Sequence, residues 1–487
     1  MKFIIRLHPE IIVKSRRVRK RFTRLLEGNI RLVFKRNHLS VEVNSAWDKI
    51  LLLVAPSAQD KQADIIELLQ RIPGIDQIFL VQESEFSDLD DVCEQIKQSW
   101  QDLLVDKSFV VRVRRRGEHA FSSVDAERYV GGYLNQRCES KGVSLKNPDI
   151  TIEFEINDNQ LIQSHKRIKC LGGMPLPSQE DVLSLISGGY DSGVASYQMI
   201  RRGARTHFCF FNLGGPEHEI GVKQVSYYLW QRYSESHRVK FIAVDFAPVV
   251  ADILEHIEDS QMGVVLKRMM MRAASKVADK LDIHALVTGE SLGQVSSQTL
   301  TNLSVIDKVT DKLILRPLIC MDKLAIINQA TAIGTEDFAK VMPEYCGVIS
   351  RKPTVKARID KIESEEKKLD LTIIDRVVGL AQVRDIRSIA EEAEHVAKTV
   401  SSVSTLPVNA VVIDIRAAEE GELEPLMLGE VVVKHIPFFK LTNQFTQLPQ
   451  HCEYFLYCKR GVMSRYQTLL LHEQGFNNVQ VYRPFEK

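Results

Sequence analysis

The chain is predicted to be an α/β protein of several domains, and three observations lead to that class. Its 487 residues correspond to about three or four domains at the usual domain size. Short apolar runs typical of buried strands alternate with helical stretches through the middle of the chain, as in a parallel, doubly wound sheet. A stretch rich in Ser, Thr and Val near residue 400 then separates a smaller α/β segment from the rest.

The bulk composition is that of an ordinary globular protein. Hydrophobic residues make up 44% and charged residues 26% of the chain, and the formal net charge is only +1. Any affinity for nucleic acid must therefore come from local patches of charge. The N-terminus does not have the pattern of a signal peptide, and no apolar stretch approaches the ~18 residues of a membrane helix. We therefore expect a cytoplasmic protein with no membrane contact.

The eight cysteines are scattered and include no CxxC pair. This pattern argues against a disulfide framework and against a zinc site, so no metal ligands are assigned. We expect one or two of them to carry chemistry and the other six to be buried small residues. The cysteines are Cys93, Cys138, Cys170, Cys209, Cys320, Cys346, Cys452 and Cys458.

The first unit, residues 1–72, begins with a strong excess of positive charge. Twelve cations within the first 36 residues stand against only Glu10 and Glu27, and apolar residues recur at helical spacing. A solvated helix face usually mixes charges of both signs, so contact with nucleic acid is the favoured interpretation and a solvated face the alternative. We expect Arg16, Arg17 and Arg21 to contact RNA phosphates.

The second unit, residues 73–165, carries a basic strand. Residues 109–114 alternate apolar and cationic side chains as a half-buried strand does, and the strand leads through a Gly turn into a Ser-capped helix. Such an arrangement can present cations to a phosphate backbone. The unit resembles a THUMP domain, a module of RNA-modifying enzymes. The expected RNA contacts are Arg112, Arg114, Arg115 and Arg116.

The third unit, residues 176–395, contains the doubly wound sheet, and its ligands are expected at the carboxyl ends of the strands. Strands are predicted at 182–186, 207–212, 240–245 and 285–288. The segment from about 350 to 400 is interpreted as charged helix and linker.

The first of these strands runs into Ser187-Gly188-Gly189-Tyr190-Asp191-Ser192, and a helix is expected from Gly193. Glycines let the backbone approach an anion, and the unpaired N–H groups of a first helical turn point towards it. The Lys of a Walker A loop is absent, so an ordinary P-loop is excluded. The segment resembles the PP-loop of ATP pyrophosphatases, which split ATP into AMP and pyrophosphate; a simple Ser/Gly/Asp turn is the alternative.

Residues 396–409 are predicted to be a linker, followed by a small α/β unit at 410–487. A strand is expected from Val411 to Arg416, and others at 454–457 and 479–482, with a helix at 464–474. Cys458 begins the loop before that helix, where backbone N–H groups, Lys459 and Arg460 favour a thiolate or a persulfide.

The loop from Cys458 to Ser464 resembles that of rhodanese-type sulfurtransferases, which carry sulfur as a cysteine persulfide. In cysteine phosphatases an Arg stands six residues after the Cys, whereas here Ser464 takes that position and Arg follows at 465. The Asp414-x-Arg416 pattern and Ile436-Pro437 are also similar to rhodanese sequences. The Gly-Ala usual after that Pro is replaced by two phenylalanines. An inert buried Cys458 is the alternative.

The order of these units resembles the tRNA 4-thiouridine synthetases (tRNA uridine 4-sulfurtransferases) over essentially all 487 residues. The resemblance is to the long form of that family and implies a ferredoxin-like N-terminal domain, a THUMP domain, a PP-loop ATP pyrophosphatase domain and a rhodanese-like domain. Other similar segments are Gln261-Met262-Gly263, Lys267 to Met270, Thr288-Gly289-Glu290, Gly293 to Thr299 and Pro343 to Gly347.

The resemblance implies ATP and Mg²⁺ as cofactors and gives roles to single residues. It places Leu185, Ile186, Lys267, Gly289 and Gln298 on ATP, and Ser187, Gly188, Gly189 and Ser192 on its pyrophosphate. Lys323 is a further phosphate contact, with a solvated helix lysine as the alternative. Asp191 either holds the metal or positions the reactants. Cys346, which alone would be read as structural, is implied to form a redox disulfide with Cys458.

The implied activity is the ATP-dependent conversion of uridine 8 of tRNA to 4-thiouridine. The implied partners are tRNA, a cysteine desulfurase as sulfur donor, a sulfur carrier protein of thiamine synthesis and a thiol reductant. Two rival interpretations remain open. One is an amide-forming ligase that uses the PP-loop on a small molecule, and the other is a sulfur-relay carrier whose PP-loop is vestigial.

Overall fold

The structure, a computed structural model, describes residues 1–45, 49–213, 215–340, 342, 349–389, 402–407, 410–416, 425–429, 431–436, 441, 444–458 and 462–484. The folded chain divides into two compact units. The first unit of the fold is Met1–Ser178, which contains both predicted units 1–72 and 73–165, and the second unit of the fold is Gln179–Lys487.

One eight-stranded sheet organises the first unit. Its strands are β1 (Lys2–Leu7), β2 (Val41–Ser45), β3 (Lys49–Val54), β4 (Ile75–Glu85), β5 (Ser108–Arg116), β6 (Gly142–Val143), β7 (Ile150–Asn157) and β8 (Gln160–Lys169). Its helices are α1 (Pro9–Ile12), α2 (Arg16–Arg36), α3 (Gln62–Gln70), α4 (Leu89–Leu104) and α5 (Ser123–Arg137), with a 3₁₀ turn at Pro56–Lys61. The strand order is β2-β3-β1-β4-β8-β7-β5-β6.

The helix α2 confirms the amphipathic pattern of the N-terminal sequence. Phe22, Leu26 and Ile30 are buried on one face, whereas the arginines of the opposite face are exposed. The buried face packs into a core with β1, whose Phe3 and Ile5 are fully buried. Packing therefore fixes the helix and leaves its cationic face to solvent.

Two apolar cores lie along the one sheet. The first joins β1, α2 and α3, and the second joins α4, α5, β5 and β7. Strand β4 is common to both regions because it pairs with β1 on one side and with β8 on the other. The sheet is thus continuous across residue 72, and the domain boundary expected there stays a prediction.

A six-stranded sheet organises most of the second unit. Its strands are β9 (Val182–Leu185), β10 (Thr206–Asn212), β11 (Lys240–Asp245), β12 (Ala285–Val287), β13 (Leu313–Leu315) and β14 (Gln382–Asp385). The helices are α6 (Tyr190–Arg201), α7 (Gly215–Tyr233), α8 (Ala247–His256), α9 (Met262–Lys280), α10 (Leu300–Asp307), α11 (Lys323–Ile333), α12 (Glu336–Lys340), α13 (Ile359–Glu366) and α14 (Thr372–Gly379), with 3₁₀ turns at Asp259–Gln261 and Ser296–Gln298.

The strand order β13-β12-β9-β10-β11-β14 confirms a doubly wound sheet. The chain proceeds from β9 towards β10 and β11 and then returns to β12 on the other side of β9. The crevice between β9 and β12 is therefore the switch point of the sheet, where this class of fold binds ligands.

Two expectations for this sheet are wrong. The sheet is not wholly parallel, because β14 pairs antiparallel with β11. The segment 350–400 is also more than charged helix and linker, since it supplies this edge strand and a helix that packs inward. On α13, Glu365 and Glu366 are buried, and Glu366 accepts hydrogen bonds from the buried Arg268 guanidinium at 2.6 and 2.9 Å. The charges there are paired inside the protein rather than solvated.

An ion-pair cluster lies where β9 and β10 begin. Asp181 accepts a hydrogen bond from Arg205 Nε at 2.8 Å and lies 3.3 Å from His207 Nε2. Burial on its own would raise the pKa of Asp181, but the bonds from His207 and Arg205 lower it to about 2. The carboxylate is therefore charged across the whole neutral range.

A third sheet lies in the C-terminal part of the second unit. Its strands are β15 (Ser402–Val403), β16 (Val411–Asp414), β17 (Val432–His435), β18 (Tyr454–Tyr457) and β19 (Val479–Tyr482), and α15 (Val462–Glu473) precedes β19. They pair in parallel in the order β15-β19-β18-β16-β17. The predicted strands at 454–457 and 479–482 are confirmed. Strand β15 lies within residues expected to be linker.

Among the residues that the structure describes, no helix is both long and apolar enough to cross a membrane.

Candidate active site

The predicted anion loop lies at the carboxyl end of β9, at the switch point of the sheet. Helix α6 begins at Tyr190, three residues before the predicted start, so Asp191 and Ser192 belong to its first turn. Gly188 has φ +85°, a conformation that favours glycine, and Gly189 is the N-cap of α6. The free N–H groups of this turn are thus presented at the end of a buried strand, as anion binding requires.

Short polar contacts hold the loop in this shape. Ser192 Oγ accepts the Ser187 N–H at 3.1 Å and lies 3.2 Å from Ser187 Oγ. From helix α7, His218 Nε2 lies 3.1 Å from the Ser187 carbonyl oxygen. Burial lowers the pKa of His218, so the neutral ring donates that Nε2–H. The loop is therefore held from both ends by contacts within the chain.

Gly289, which follows β12, touches the first turn of α6 through its backbone. A Cβ atom at this position would lie 2.6 Å from the Asp191 carbonyl carbon and 2.7 Å from the Ser192 nitrogen. No side chain fits there, so glycine is required because its backbone lies directly against the backbone of Asp191 and Ser192. This contact joins the two sides of the switch point.

Asp191 and Lys323 are brought together, as both were expected at the site. Lys323 Nζ lies 2.8 Å from Asp191 Oδ1 and 3.1 Å from Oδ2, and Gln294 Nε2 donates to Oδ2 at 2.8 Å. Lys323 is the first residue of α11, which begins next to the N-cap Asp322. The solvated-lysine alternative is therefore not what the geometry favours.

Lys267 belongs to a second charged group at the same edge. Its Nζ donates to Glu290 Oε1 at 2.8 Å, while Arg316 Nε donates to Glu290 Oε2 at 2.8 Å. The far side of the Arg316 guanidinium is paired with Asp307. Glu290 is only 7% exposed; burial would raise its pKa, but Lys267 and Arg316 lower it to about 2.

The remaining ATP residues have different placements. Leu185 ends β9 and is half-buried, whereas the Ile186 side chain is buried and its N–H donates to the Cys209 carbonyl oxygen at 2.9 Å. Gln298 is buried, and its Oε1 accepts the Ser291 N–H at 3.2 Å. Its carbonyl oxygen accepts the Gly293 N–H at 2.9 Å. Gln298 therefore holds together the loop that follows Gly289.

Met342 packs against the anion loop. A Cβ atom on Gly188 would lie 3.0 Å from Met342 Cε, and one on Gly221 of α7 only 2.1 Å from it. The two glycines thus form a notch that the methionine fills. After the gap in the described residues, Arg351 and Lys352 donate their N–H groups to Asp259 at 3.1 Å each. Cys346 itself lies outside the described residues.

Cys458 follows β18 in the third sheet. The Ser464 N–H donates to its Sγ at 3.4 Å, and the thiol lies 3.5 Å from Ser464 Oγ. At the end of the neighbouring strand β16, Asp414 and Arg416 form a buried ion pair, with Arg416 Nη2 2.7 Å from Asp414 Oδ2. Lys459, Arg460, Pro437, Phe438 and Phe439 lie outside the described residues.

Arg465 interacts electrostatically with the Cys458 sulfur. Burial and the neighbouring Arg483 lower the pKa of Arg465, whereas Cys458 acts in the opposite direction. The Cys458 thiol thus accepts one backbone N–H and lies within the electrostatic reach of a cation.

The other described cysteines are mostly unsuited to chemistry. Burial raises the pKa of Cys93, Cys170 and Cys209 to about 12 each. Of the six cysteines expected to be buried, Cys93 and Cys209 are buried, whereas Cys138, Cys170 and Cys452 are only half-buried. Cys320 is exposed, because it lies in the turn between β13 and α11.

The expected RNA contacts lie on α2 and on β5. Arg16, Arg17 and Arg21 are exposed on α2, and Arg114 is exposed on β5. Two others are paired within the same unit: Arg112 Nη1 lies 3.3 Å from Glu127, and Arg116 Nε lies 3.1 Å from Glu155. Arg115 donates to the Gly117 carbonyl at 3.1 Å and lies 3.0 Å from His119 Nδ1, so it also stabilises its own turn.

Sequence reasoning gave no role to Glu290, Arg316, Gln294 or His218. Glu290, Gln294 and His218 each touch a predicted site residue, namely Lys267, Asp191 and Ser187. Arg316 touches Glu290. One signal was available in the sequence: Glu290 is a charged residue three positions after the apolar strand β12, and Arg316 is a charged residue directly after β13.

Comparisons with known proteins agree with this geometry. The family model of the thiamine biosynthesis protein (ThiI) matches residues 177–371, the THUMP domain model matches 86–162, and the ThiI ferredoxin-like domain model matches 2–78. A tRNA sulfurtransferase of Shewanella baltica (strain OS155 / ATCC BAA-1091) is 56% identical over 484 residues, which is 99% of this chain and 100% of the relative. That of Shewanella sp. (strain W3-18-1) is 57% identical over the same coverage.

Solved structures share the fold. A 4-thiouridine synthetase in complex with RNA and bound ATP is 24% identical, with a TM-score of 0.67 over 79% of this chain and 99% of that one. The protein PH1313 from Pyrococcus horikoshii Ot3 is 19% identical, with a TM-score of 0.51 over 69% of this chain and all of that one. The ferredoxin-like, THUMP and PP-loop expectations for the fold are confirmed. Because the tRNA sulfurtransferases match along 99% of its length, the chain belongs to the tRNA sulfurtransferase family and is a sulfur-transferring enzyme.

Proposed function

We propose that this enzyme converts uridine 8 of tRNA to 4-thiouridine, with ATP as the activating substrate and a persulfide on Cys458 as the sulfur source. The observation that carries the proposal is an anion loop that contacts within the chain hold in shape and that is joined to Asp191 and Lys323, in a chain where the Cys458 sulfur accepts the Ser464 N–H. One site suits activation of an oxygen and the other suits carriage of sulfur.

The site at the switch point supports activation of the uridine. Oxygen O4 is a poor leaving group until it attacks the α-phosphorus of ATP, which releases pyrophosphate and forms an adenylated uridine. The N–H groups after Ser187 would face phosphate oxygens as these gain charge, and Lys267 adds a cation at the same edge. The Asp191 carboxylate accepts a hydrogen bond from Lys323 and so holds a second ammonium group at the loop.

The residues at this site also fit Mg²⁺. The described part of the chain has no cluster of three or more acidic, His or Cys ligands. Mg²⁺ commonly binds through one or two carboxylates and substrate phosphates, and Asp191 is such a carboxylate. The ion would neutralise charge on the phosphates, while Asp191 keeps its contacts with Lys323 and Gln294.

The C-terminal sheet supports sulfur carriage in a rhodanese-like domain at 410–487. A cysteine desulfurase would transfer sulfur to Cys458, and the Ser464 N–H would stabilise the persulfide. The terminal sulfur, or sulfide released from it, then attacks C4 of the adenylated uridine, and AMP leaves. When the terminal sulfur of the persulfide attacks directly, C4 is joined to Cys458 through two sulfurs until a second thiol breaks the S–S bond.

Cys346 is proposed to be that second thiol. Its thiolate attacks Cys458 Sγ, so a Cys346–Cys458 disulfide forms, two electrons pass to the transferred sulfur, and an external thiol must reduce the disulfide afterwards. The placement of the neighbouring Met342 supports this role. Met342 fills the notch beside Gly188, and four residues of chain span at most about 14 Å.

The tRNA is proposed to bind to the first unit. Arg16, Arg17, Arg21 and Arg114 have exposed side chains that suit phosphate contacts. Arg112, Arg115 and Arg116 are also proposed as contacts, although ion pairs or turn contacts already engage them. We also infer a cytoplasmic location, and a second role as sulfur donor to a carrier protein of thiamine synthesis.

The two rival functions make different demands on the chain. A small-molecule ligase does not need the exposed cations of α2, and a sulfur relay with a vestigial PP-loop does not need the close contact of Gly289 with α6. Both features favour thiolation of RNA. The domain limits 1–72, 73–165, 176–395 and 410–487, with a linker at 396–409, remain part of the proposal.

The test is direct assay of the product. Unmodified tRNA is incubated with the enzyme, MgATP, a cysteine desulfurase and cysteine, and the nucleosides are analysed by mass spectrometry. We expect 4-thiouridine at position 8, dependent on ATP and lost in Asp191→Ala. Thiolation that persists at the wild-type rate in Asp191→Ala would refute the PP-loop assignment, and thiolation without ATP would refute the activation step.

A further inference from the structure

We propose that Glu290 is a positioning residue for the nucleotide, because its buried carboxylate holds the Lys267 ammonium group beside the anion loop. The inference rests on the proposed use of ATP. It concerns a residue to which the sequence analysis gave no role.

The place of Glu290 in the chain connects it to the loop. It directly follows Gly289, whose backbone lies against Asp191 and Ser192 with no room for a side chain. The attachment point of the carboxylate is therefore fixed relative to the first turn of α6. An ammonium group bound to the Glu290 carboxylate is therefore also held in a fixed position relative to α6.

The carboxylate is built into its place from several directions. Thr288 Oγ1 donates to Oε2 at 3.0 Å, Arg316 Nε donates to the same oxygen at 2.8 Å, and Lys267 Nζ donates to Oε1 at 2.8 Å. Only 9% of the Glu290 side chain is exposed. A buried acid with two cationic partners remains ionised, so its hold on Lys267 does not depend on pH in the neutral range.

The contact with Glu290 leaves Lys267 able to bind a phosphate. A lysine ammonium has three N–H donors, and the bond to Glu290 uses one of them. The lysine stem has four flexible carbons, so without an anchor the ammonium group samples many positions. With one donor fixed and 21% of its side chain exposed, Lys267 can present the other donors to solvent or to a phosphate oxygen.

Arg316 differs from Lys267 in how it is held. Asp307 pairs with the other edge of its guanidinium, so Arg316 keeps a carboxylate partner when Glu290 is changed. A loss of Glu290 should therefore act on the nucleotide mainly through Lys267. This difference also provides a control, since Asp307 touches Arg316 whereas Glu290 touches both Lys267 and Arg316.

The test is a double-mutant cycle with Glu290→Gln and Lys267→Ala, read as tRNA-dependent release of pyrophosphate from ATP. Because misplacing a binding group by about 1 Å can cost ~100-fold, we expect Glu290→Gln to lower kcat/KM for ATP by about 10- to 100-fold. In the Lys267→Ala background the same change should have an effect of less than about threefold, because the group it positions is absent. Asp307→Asn, the matched control, should stay within about threefold of the wild type.

Several results would overturn the proposal. One is a wild-type kcat/KM for ATP in Glu290→Gln. Another is a double variant whose loss in kcat/KM equals the product of the two single losses, because Glu290 would then act independently of Lys267. If Glu290→Gln does not fold, Glu290→Asp keeps the negative charge, but its shorter side chain moves the carboxylate away from Lys267. An unchanged kcat/KM for ATP in Glu290→Asp would equally overturn the proposal. Failure of the wild type to release pyrophosphate would instead refute the proposed function.

Discussion

Replacing Gly289 with alanine tests the contact between the two sides of the switch point. The added methyl group would lie 2.6 Å from the Asp191 carbonyl carbon, 2.7 Å from the Ser192 nitrogen and 2.8 Å from the Asp191 oxygen. All three atoms are backbone, so no side chain can turn aside to make room. Overpacking of this kind costs about 1–3 kcal/mol. We expect the loop after β12 to move away from α6 and take Glu290 and Lys267 with it.

The expected consequence is a loss of ATP activation rather than of the fold. If the strain of about 1–3 kcal/mol is relieved by displacing the site, pyrophosphate release should slow by about 5- to 150-fold. The assay compares pyrophosphate release with thermal unfolding in Gly289→Ala and in the control Gly379→Ala. No atom lies within 4 Å of a Cβ built at Gly379, so this control should behave like the wild type. Wild-type kcat/KM for ATP in Gly289→Ala would refute the reasoning.

Four further predictions follow from the described contacts. Asp191→Ala should reduce pyrophosphate release by at least about 100-fold, because Lys323 loses its partner at the loop; a loss below about threefold would contradict this. Cys458→Ala should abolish the persulfide and thiolation, measured by mass spectrometry, yet leave pyrophosphate release intact; loss of both would contradict separate sites. Arg17→Ala with Arg21→Ala should lower the salt dependence of tRNA binding by about two units of slope, whereas an unchanged slope would remove α2 from the interface. The folded pKa of Asp181, about 2, lies below its usual 3.8, so its stabilisation is present above pH 3.8 and is lost as the pH falls through 2. Asp181→Asn should therefore destabilise the second unit by about 1–2 kcal/mol at pH 7 in urea unfolding and by progressively less towards pH 2, and a pH-independent difference would contradict this.

The parts of the fold that the sequence predicts well are those with strong local patterns. The strands 454–457 and 479–482 match in full because each is a continuous apolar or alternating run between turn residues. Strand β14 has no such pattern: Gln382, Val383, Arg384 and Asp385 form an edge strand only because β11 offers a free edge in the folded sheet. Tertiary pairing of that kind leaves no mark in a local window of sequence.

The site shows the same division. The residues of the anion loop are found from the sequence because strand, glycines and helix start are contiguous. The start of α6 is missed by three residues, since Tyr190, Asp191 and Ser192 also suit a turn. The role of Glu290 is missed because its partners Lys267 and Arg316 come from α9 and from the end of β13, and only the folded sheet brings the three together.

The central claim is that sulfur carried on Cys458 reaches a uridine activated by ATP in the same enzyme. The most direct test loads Cys458 with ³⁴S from labelled cysteine and a desulfurase, removes the donor, and adds tRNA with or without MgATP for a single turnover. The account predicts ³⁴S in 4-thiouridine at position 8, up to one per enzyme and only with ATP, together with loss of the label from Cys458. Label that remains on Cys458, or that enters tRNA equally without ATP, would contradict the account.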